Sequence, residues 1–290
     1  YIRAFATNSL GTGYGNQVSF VTLKYPQTIT FDVLADKTYG DGDFTVSASS
    51  TSGLTVTFSS NDPAVATVNN GIVHIVKAGT TQIIASQAGN TTYSAAPDVP
   101  QLLTIGKDTL LVTADDTARI YGEANPVFTM SYSGFHFTDT VEDLDVLPQL
   151  ASATGDSTGT GVYPITVSGG SDNNYVLTYV AGSLTIRKAV LSVAATDTSR
   201  VYGQVNPVFR LSYAGFKNQD NPDSLDVAVI ATTLADSASA TGVYPIVPAG
   251  ARDLNYSFIY SNGDMTVTRK EIQVVADDKT KVYGEPVPQL

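Results

Sequence analysis

Few residues in this 290-residue chain could do chemistry, and they are scattered. Two aspartate pairs, Asp115-Asp116 and Asp277-Asp278, come nearest to the paired carboxylates of glycoside hydrolysis. That reaction needs two carboxyl groups facing each other across a cleft. Here each pair consists of chain neighbours at the end of a strand pattern, and the pattern recurs, whereas an active site need occur only once. A solvated turn is the expectation. The only histidines are His74 and His136, which lie in different segments and are expected at the surface. They support neither a zinc ligand set nor a Ser-His-Asp arrangement. Asp41-Gly42-Asp43 and Ser171-Asp172-Asn173-Asn174 are oxygen-rich loops of the kind calcium takes, but they lack the D-x-[DN]-x-[DN]-G spacing. The chain has no cysteine, which excludes disulfides and thiolate metal sites. The expectation is a protein without catalytic, cofactor-binding or metal-binding residues, and not an enzyme.

Sixteen tyrosines without a tryptophan raise the question of sugar stacking. Most of these tyrosines occupy equivalent places in a repeated pattern, which favours core or turn anchors with a bonded hydroxyl. The recurring Tyr-Gly pair reads in the same way, as a tyrosine packed over its own turn with glycine supplying positive φ.

The elements that would position these residues follow from that repetition. Tyr-Gly occurs at Tyr121, Tyr202 and Tyr283, spaced 81 residues apart. YGEANPVFTMSYSGF from Tyr121 faces YGQVNPVFRLSYAGF from Tyr202, and TGVYPI from Thr160 faces TGVYPI from Thr241. Asn174-Tyr175 faces Asn255-Tyr256, with no insertion or deletion across the unit. Residues 107–187 and 188–268 are therefore two tandem copies of one domain. Residues 269–290 repeat only the opening strand and turn, the start of a truncated third copy, so the chain is expected to be a segment of a longer one. Tyr39-Gly40 lies 82 residues before Tyr121, but little else aligns there.

Within a copy, Leu110, Val112 and Ala114 alternate as a strand with one buried face. Further strands are expected at 127–132, 147–153, 161–168 and 175–186, the last bending at Gly182. The acidic stretches 139–144 and 220–225 are where a short helix is expected, Pro222 suiting its first turn. Residues 1–7 and 17–23 read as two strands around a Gly-rich turn. Residues 24–106 carry short strands separated by Asn-Asp-Pro, Asn-Asn-Gly and Ala-Gly turns.

Composition agrees with sheets and turns. Only 15% of residues are charged, below the roughly 25% usual for soluble domains. A net charge of −11 opposes binding to phosphate backbones, so no nucleic-acid partner is expected. No apolar run is long enough to span a membrane.

These motifs carry three resemblances. Tyr121-Gly122 with Asn125-Pro126, then Tyr163-Pro164-Ile165, Asn174-Tyr175, Tyr179 and Gly182, resemble the MBG domain of the YGX type. The second copy matches at Tyr202-Gly203, Asn206-Pro207, Tyr244-Pro245-Ile246, Asn255-Tyr256, Tyr260 and Gly263. Ser59-Ser60-Asn61, Pro63, Val65-Ala66-Thr67-Val68, Asn70-Gly71, Ala78-Gly79-Thr80 and Ile84-Ala85 resemble a bacterial Ig-like domain of group 2, at 24–106. Residues 1–23 resemble the C-terminal strands of a fibronectin type III module. The resemblances imply a mainly β chain of tandem small modules: an Ig-like β-sandwich followed by two β-grasp-like repeats with one short helix each. They also imply an extracellular, bacterial cell-surface setting.

Arg187-Lys188-Ala189 is all that separates the two copies. If first and last strands lie side by side and parallel, each copy is entered and left at opposite ends, and a ten-residue strand spans about 33 Å. The expected function is a structural stalk or spacer of an adhesin-like surface protein. It would be monomeric and in contact with neighbouring domains of the same chain. The alternatives are modules that bind glycans or host or bacterial surface proteins directly, or an accessory region of a large secreted enzyme.

Overall fold

The computed structural model describes residues 1–19 and 21–289. Phe20, inside the expected strand 17–23, and Leu290, the end of the expected third copy, lie outside the described residues. Contacts divide the chain into two compact units. One comprises Tyr1–Thr113, Met130–Leu150 and Val167–Val180; the other comprises Ala114–Thr129, Ala151–Thr166 and Ala181–Leu290.

In the first unit, the N-terminal hairpin pairs Phe5–Asn8 with Gly11–Tyr14, in register from Phe5↔Tyr14 to Asn8↔Gly11. The Gly-rich piece expected as a turn is thus itself a strand. The turn falls at Ser9-Leu10, because a two-residue connection closes a hairpin with the least chain. Of the expected strand 17–23, Val18 makes an isolated bridge to Ile2.

The next module has a sheet in the order Lys37–Thr38, Val99–Gly106, Gly79–Ser86, Thr57–Ser60. A second sheet runs Phe44–Thr45, Ile72–Ile75, Ala66–Asn69, and a third pairs Ile29–Phe31 with Ala48–Ser50. Asn70 and Gly71, both at positive φ, make the two-residue turn that their sequence calls for. Ile83 and Ala85 alternate inward with Leu103 and Ile105, all but inaccessible to solvent.

The same unit holds one sheet of the first repeat, in the order Met130–Ser133, Asp108–Ala114, Tyr175–Val180. Asp108–Ala114 runs parallel to Tyr175–Val180. Leu110, Leu144 and Tyr175 join the hydrophobic cluster of Leu103, Ile105 and Ala78, so the core continues from one module into the next.

The second unit contains the whole second repeat. One sheet runs Leu211–Ala214, Ala189–Ala195, Tyr256–Ser261; the other runs Thr198–Val201, Gly263–Thr268, Gly242–Ala249, Ile230–Thr232. Each terminal segment is therefore two strands contributed to two sheets, and the strand Thr198–Val201 has no counterpart in the expected pattern. Ala189–Ala195 is parallel to Tyr256–Ser261, and Thr198–Val201 to Gly263–Thr268. The first and last segments of the repeat thus lie side by side and parallel, and the chain enters and leaves at opposite ends. The change of sheet occurs at Gly263, where a Cβ would lie 2.5 Å from the carbonyl oxygen of Ala195; only glycine lets the strands approach so closely. Leu191, Ile246 and Met265 are fully buried. In the first repeat, Thr117–Ile120, Gly182–Arg187 and Gly161–Ser171 follow the same plan, with Thr117 beside Leu184 and Gly161 opposite Ile186.

The short helix expected in each repeat is a single 3₁₀ turn, Val141–Asp143 and Pro222–Ser224. The cause is reciprocal capping. The Asn221 side chain accepts from the Asp223 N–H at 2.9 Å, and the Ser224 hydroxyl accepts from the Asn221 N–H at 3.1 Å. The following Leu225 is extended. Three residues are too few to repay helix nucleation, so the caps hold a turn and nothing propagates. Among the described residues no α-helix is present, so the helix on which a β-grasp-like arrangement would close is missing from both repeats. Residues 269–289 form no strand.

Candidate functional site: a tyrosine–aspartate–tyrosine junction

The Tyr-Gly turn is built from local bonds. The Glu123 N–H donates to the Ile120 carbonyl at 3.1 Å, the Gln204 N–H to Val201 at 3.1 Å, and the Asp41 N–H to Thr38 at 3.0 Å. Gly122, Gly203 and Gly40 follow at φ +79°, +85° and +95°, the left-handed region that glycine tolerates. One long-range bond places each turn beside the last residue of its own module. Tyr121 N–H donates to Arg187 O (2.8 Å), Tyr202 N–H to Thr268 O (2.9 Å) and Tyr39 N–H to Gly106 O (2.9 Å). Tyr39, whose surroundings barely align with the repeats, therefore has the same backbone role as the other two.

What covers the tyrosine comes from the module that follows. The Tyr121 hydroxyl donates to Asp220 Oδ2 at 3.0 Å, and the same oxygen accepts from the Tyr256 hydroxyl at 2.7 Å. The two rings meet edge to face, 5.6 Å apart at 86°. Lys217 lies on Gly122, where a Cβ would come within 2.4 Å of the lysine Cβ. The backbone N–H of Lys217 donates to the Tyr256 hydroxyl oxygen at 2.8 Å. Asn255 Oδ1 accepts from the Thr160 N–H at 3.0 Å.

The first unit holds the same arrangement. Asp139 Oδ2 accepts from Tyr39 at 2.8 Å and from Tyr175 at 2.7 Å, with the rings 5.4 Å apart at 90°. His136 covers Gly40 as Lys217 covers Gly122, and its N–H donates to the Tyr175 hydroxyl oxygen at 2.8 Å. Asn174 Oδ1 accepts from the Ala78 N–H at 3.0 Å. Burial, reinforced by the neighbouring carboxylate, pushes the hydroxyls of Tyr39, Tyr175 and Tyr256 well above the ordinary tyrosine range.

The residues weighed for chemistry are spent on structure. Asp172 Oδ1 accepts from the N–H groups of Asn174 and Tyr175 at 2.6 and 3.0 Å, and so aims both residues at the junction. Asp253 does the same for Asn255 and Tyr256. Asp41 Oδ2 accepts from the Thr38 N–H, and Asp43 Oδ1 lies 2.7 Å from His74 Nδ1. His136, expected as a plain surface residue, sits in the junction, stacked on Tyr175, with its Nε2 against the Asp108 carboxylate. That bond holds the Asp108 carboxyl below its ordinary range. Asp115 and Asp116 point to different partners, Thr129 and Ser183. Among the described residues no three His, Asp or Glu side chains gather as a metal site.

Sequence reasoning missed two buried cations. Arg119 and Arg200 are 6% and 5% exposed. Arg119 Nε donates to Asn125 Oδ1 at 2.8 Å, and its terminal nitrogens to the carbonyls of Ile120 and Gly155. Arg200 repeats this with Asn206, Val201 and Asp236. The asparagine of each Asn-Pro pair is thus the acceptor for a buried guanidinium, and its amide donates onward to the carbonyl of Thr154 or Ala235. The signal was the recurrence of Arg at the 81-residue offset.

Comparison with known proteins finds the same tandem duplication. The MBG domain (YGX type) family matches residues 110–185 and 191–266, more than half of the chain. No curated protein sequence matches the chain. Similar solved structures include Drosophila N-cadherin EC1-4, at 8% identity over 85% of this chain and 76% of that one, with a TM-score of 0.28. Titin domains I67-I69 give 10% identity over 86% and 100%, with a TM-score of 0.29. A Bacteroides ovatus mixed-linkage glucan utilization locus protein, SGBP-B, in complex with a mixed-linkage heptasaccharide, gives 10% over 84% and 71%, with a TM-score of 0.23. At such scores these likenesses transfer nothing to this chain.

Proposed function

The chain belongs to the family of MBG domains of the YGX type, and on that premise we propose that it is a non-catalytic structural segment, a stalk or spacer of an extracellular, adhesin-like bacterial surface protein. The observation that carries this reading is the module junction. A single residue, Lys107 or Lys188, separates the last strand of one module from the first strand of the next. Across each junction a tyrosine is clamped by an aspartate and a second tyrosine. A one-residue linker leaves almost no hinge, and the clamp removes what remains. Ordinary flexible linkers would do the opposite. The parallel first and last segments of the second repeat bring the chain in at one end and out at the other, so successive modules add length.

Small-angle scattering of the chain tests the proposal. The stalk reading expects an elongated particle whose maximum dimension is unchanged when glycine or urea at sub-denaturing concentration is added. A compact particle would overturn it.

A further inference from the structure

Of the three Tyr-Gly turns that close a module, two are covered and one is not. Tyr39 and Tyr121 are 4% and 5% exposed, whereas Tyr202 is 45% exposed. A Cβ on Gly40 or Gly122 would strike His136 or Lys217, but a Cβ on Gly203 would meet nothing within 4 Å. Thr160 is bonded by Asn255, while its counterpart Thr241 is exposed. The backbone at Tyr202 is nonetheless set as in the other two, with the same bond to the last residue of its module. The surface is therefore formed but unoccupied by any described residue.

We propose that the Tyr202-Gly203-Thr241 face of the second repeat is a docking surface for a further module of the YGX type, which would present an aspartate, a tyrosine and an asparagine. The aspartate of that module would accept from the Tyr202 hydroxyl, its tyrosine ring would meet Tyr202 edge to face, and its asparagine would accept from the Thr241 N–H. The occupant is identified by repetition of the interface. In both filled junctions the acceptor aspartate follows its tyrosine partner at nearly constant spacing, 100 residues for Tyr39–Asp139 and 99 for Tyr121–Asp220. Both acceptor faces in the chain are already engaged by Tyr39 and Tyr121, so a second copy of the chain offers no free one. Residues 271–289 point the same way. They carry the opening pattern of a further copy, with Ile272, Val274 and Val275 exposed. The inference rests on the stalk reading and adds the chemistry by which the stalk is extended.

The test is an in-register duplication of residues 188–268 within the full chain, read by tyrosine nitration with tetranitromethane and peptide mass mapping. In the unmodified chain Tyr202 is nitrated faster than Tyr121. In the duplicated chain the first-copy Tyr202 slows to the Tyr121 rate, by at least about tenfold, the factor that ~1.4 kcal/mol of closure produces. Asp220→Ala in the second copy alone returns the reactivity. A first-copy Tyr202 that stays reactive overturns the proposal. So does an unextended chain in which Tyr202→Phe destabilises as much as Tyr121→Phe, a readout that does not depend on the duplication folding. Scattering separates the two readings: a duplicated chain that elongates with Tyr202 still reactive overturns the docking surface alone, and one that compacts with Tyr202 protected overturns the stalk alone.

Discussion

Tyr121 and Tyr256, 135 positions apart in sequence, donate their hydroxyls to one and the same oxygen of Asp220, at 3.0 and 2.7 Å. A carboxylate that accepts two hydroxyls from two modules is a cross-link of charge-assisted bonds, each stronger than its neutral equivalent. It also explains why Tyr-Gly recurs: the tyrosine supplies the donor, and the glycine leaves room for Lys217 to pass over it.

Removing one donor and removing the shared acceptor should differ in cost. Tyr121→Phe deletes a single bond and is expected to lower stability by about 1 kcal/mol. Asp220→Ala leaves two buried hydroxyls without an acceptor and is expected to cost about 2–4 kcal/mol. Urea unfolding of both variants checks the order. Equal losses would show that the two tyrosines do not share the aspartate.

The glycines of the turn separate backbone strain from module contact. Gly122 and Gly203 sit at φ +79° and +85°, so alanine costs about 1–2 kcal/mol at either. Only at Gly122 would the new Cβ also strike Lys217, 2.4 Å away. Gly122→Ala is therefore expected to lower the unfolding midpoint more than Gly203→Ala. Side-by-side denaturation of the two variants measures the difference, which is the contribution of the covering residue.

The buried guanidinium of Arg200 is satisfied by Asn206 and two carbonyls and, among the described residues, pairs with no carboxylate. Arg200→Met would leave Asn206 Oδ1 unbonded and take one of two bonds from each of the Val201 and Asp236 carbonyls, which keep the N–H groups of Gln204 and Ser239; the expected cost is about 1–3 kcal/mol. Arg200→Lys keeps the charge but lacks the planar fork that reaches three directions, so it should recover less than half of the loss. Thermal unfolding checks both, with Arg119 expected to behave alike.

Alkaline pH should loosen the junctions. Folded Tyr39, Tyr175 and Tyr256 hold their protons above the unfolded value near 10, because burial and the adjacent carboxylates oppose a phenolate. A raised acid pKa means that the native state binds more protons than the unfolded chain once pH exceeds about 10. The stabilisation is complete below that pH and is lost as pH climbs toward the folded values. Absorbance titration at 295 nm should show a late-titrating class of tyrosines, which Tyr256→Phe reduces. A single ordinary titration step would contradict the buried junction.

The division between local and tertiary information is clearest at four of the five Tyr-Gly pairs, those of Tyr39, Tyr121, Tyr202 and Tyr283. The turn forms at all four, Tyr283 included, where Glu285 N–H reaches Val282 O at 3.1 Å and Gly284 stands at φ +96° with no sheet around it. Its bonds close within a few residues, and glycine alone permits the backbone, so the sequence by itself determined the turn. The alternation of Leu110, Val112 and Ala114 and the Asn70-Gly71 hairpin were legible for the same reason. What each tyrosine does was not legible. Tyr39 and Tyr121 are buried, Tyr202 is half-exposed and Tyr283 fully exposed, because burial depends on an aspartate about a hundred residues later that only folding brings near. Tertiary structure likewise split each terminal segment between two sheets at Gly182 and Gly263. It also buried Arg119 and Arg200 among their asparagine and carbonyl acceptors, and it stopped the expected helices at one 3₁₀ turn, where capping bonds outweighed three residues of helix propensity.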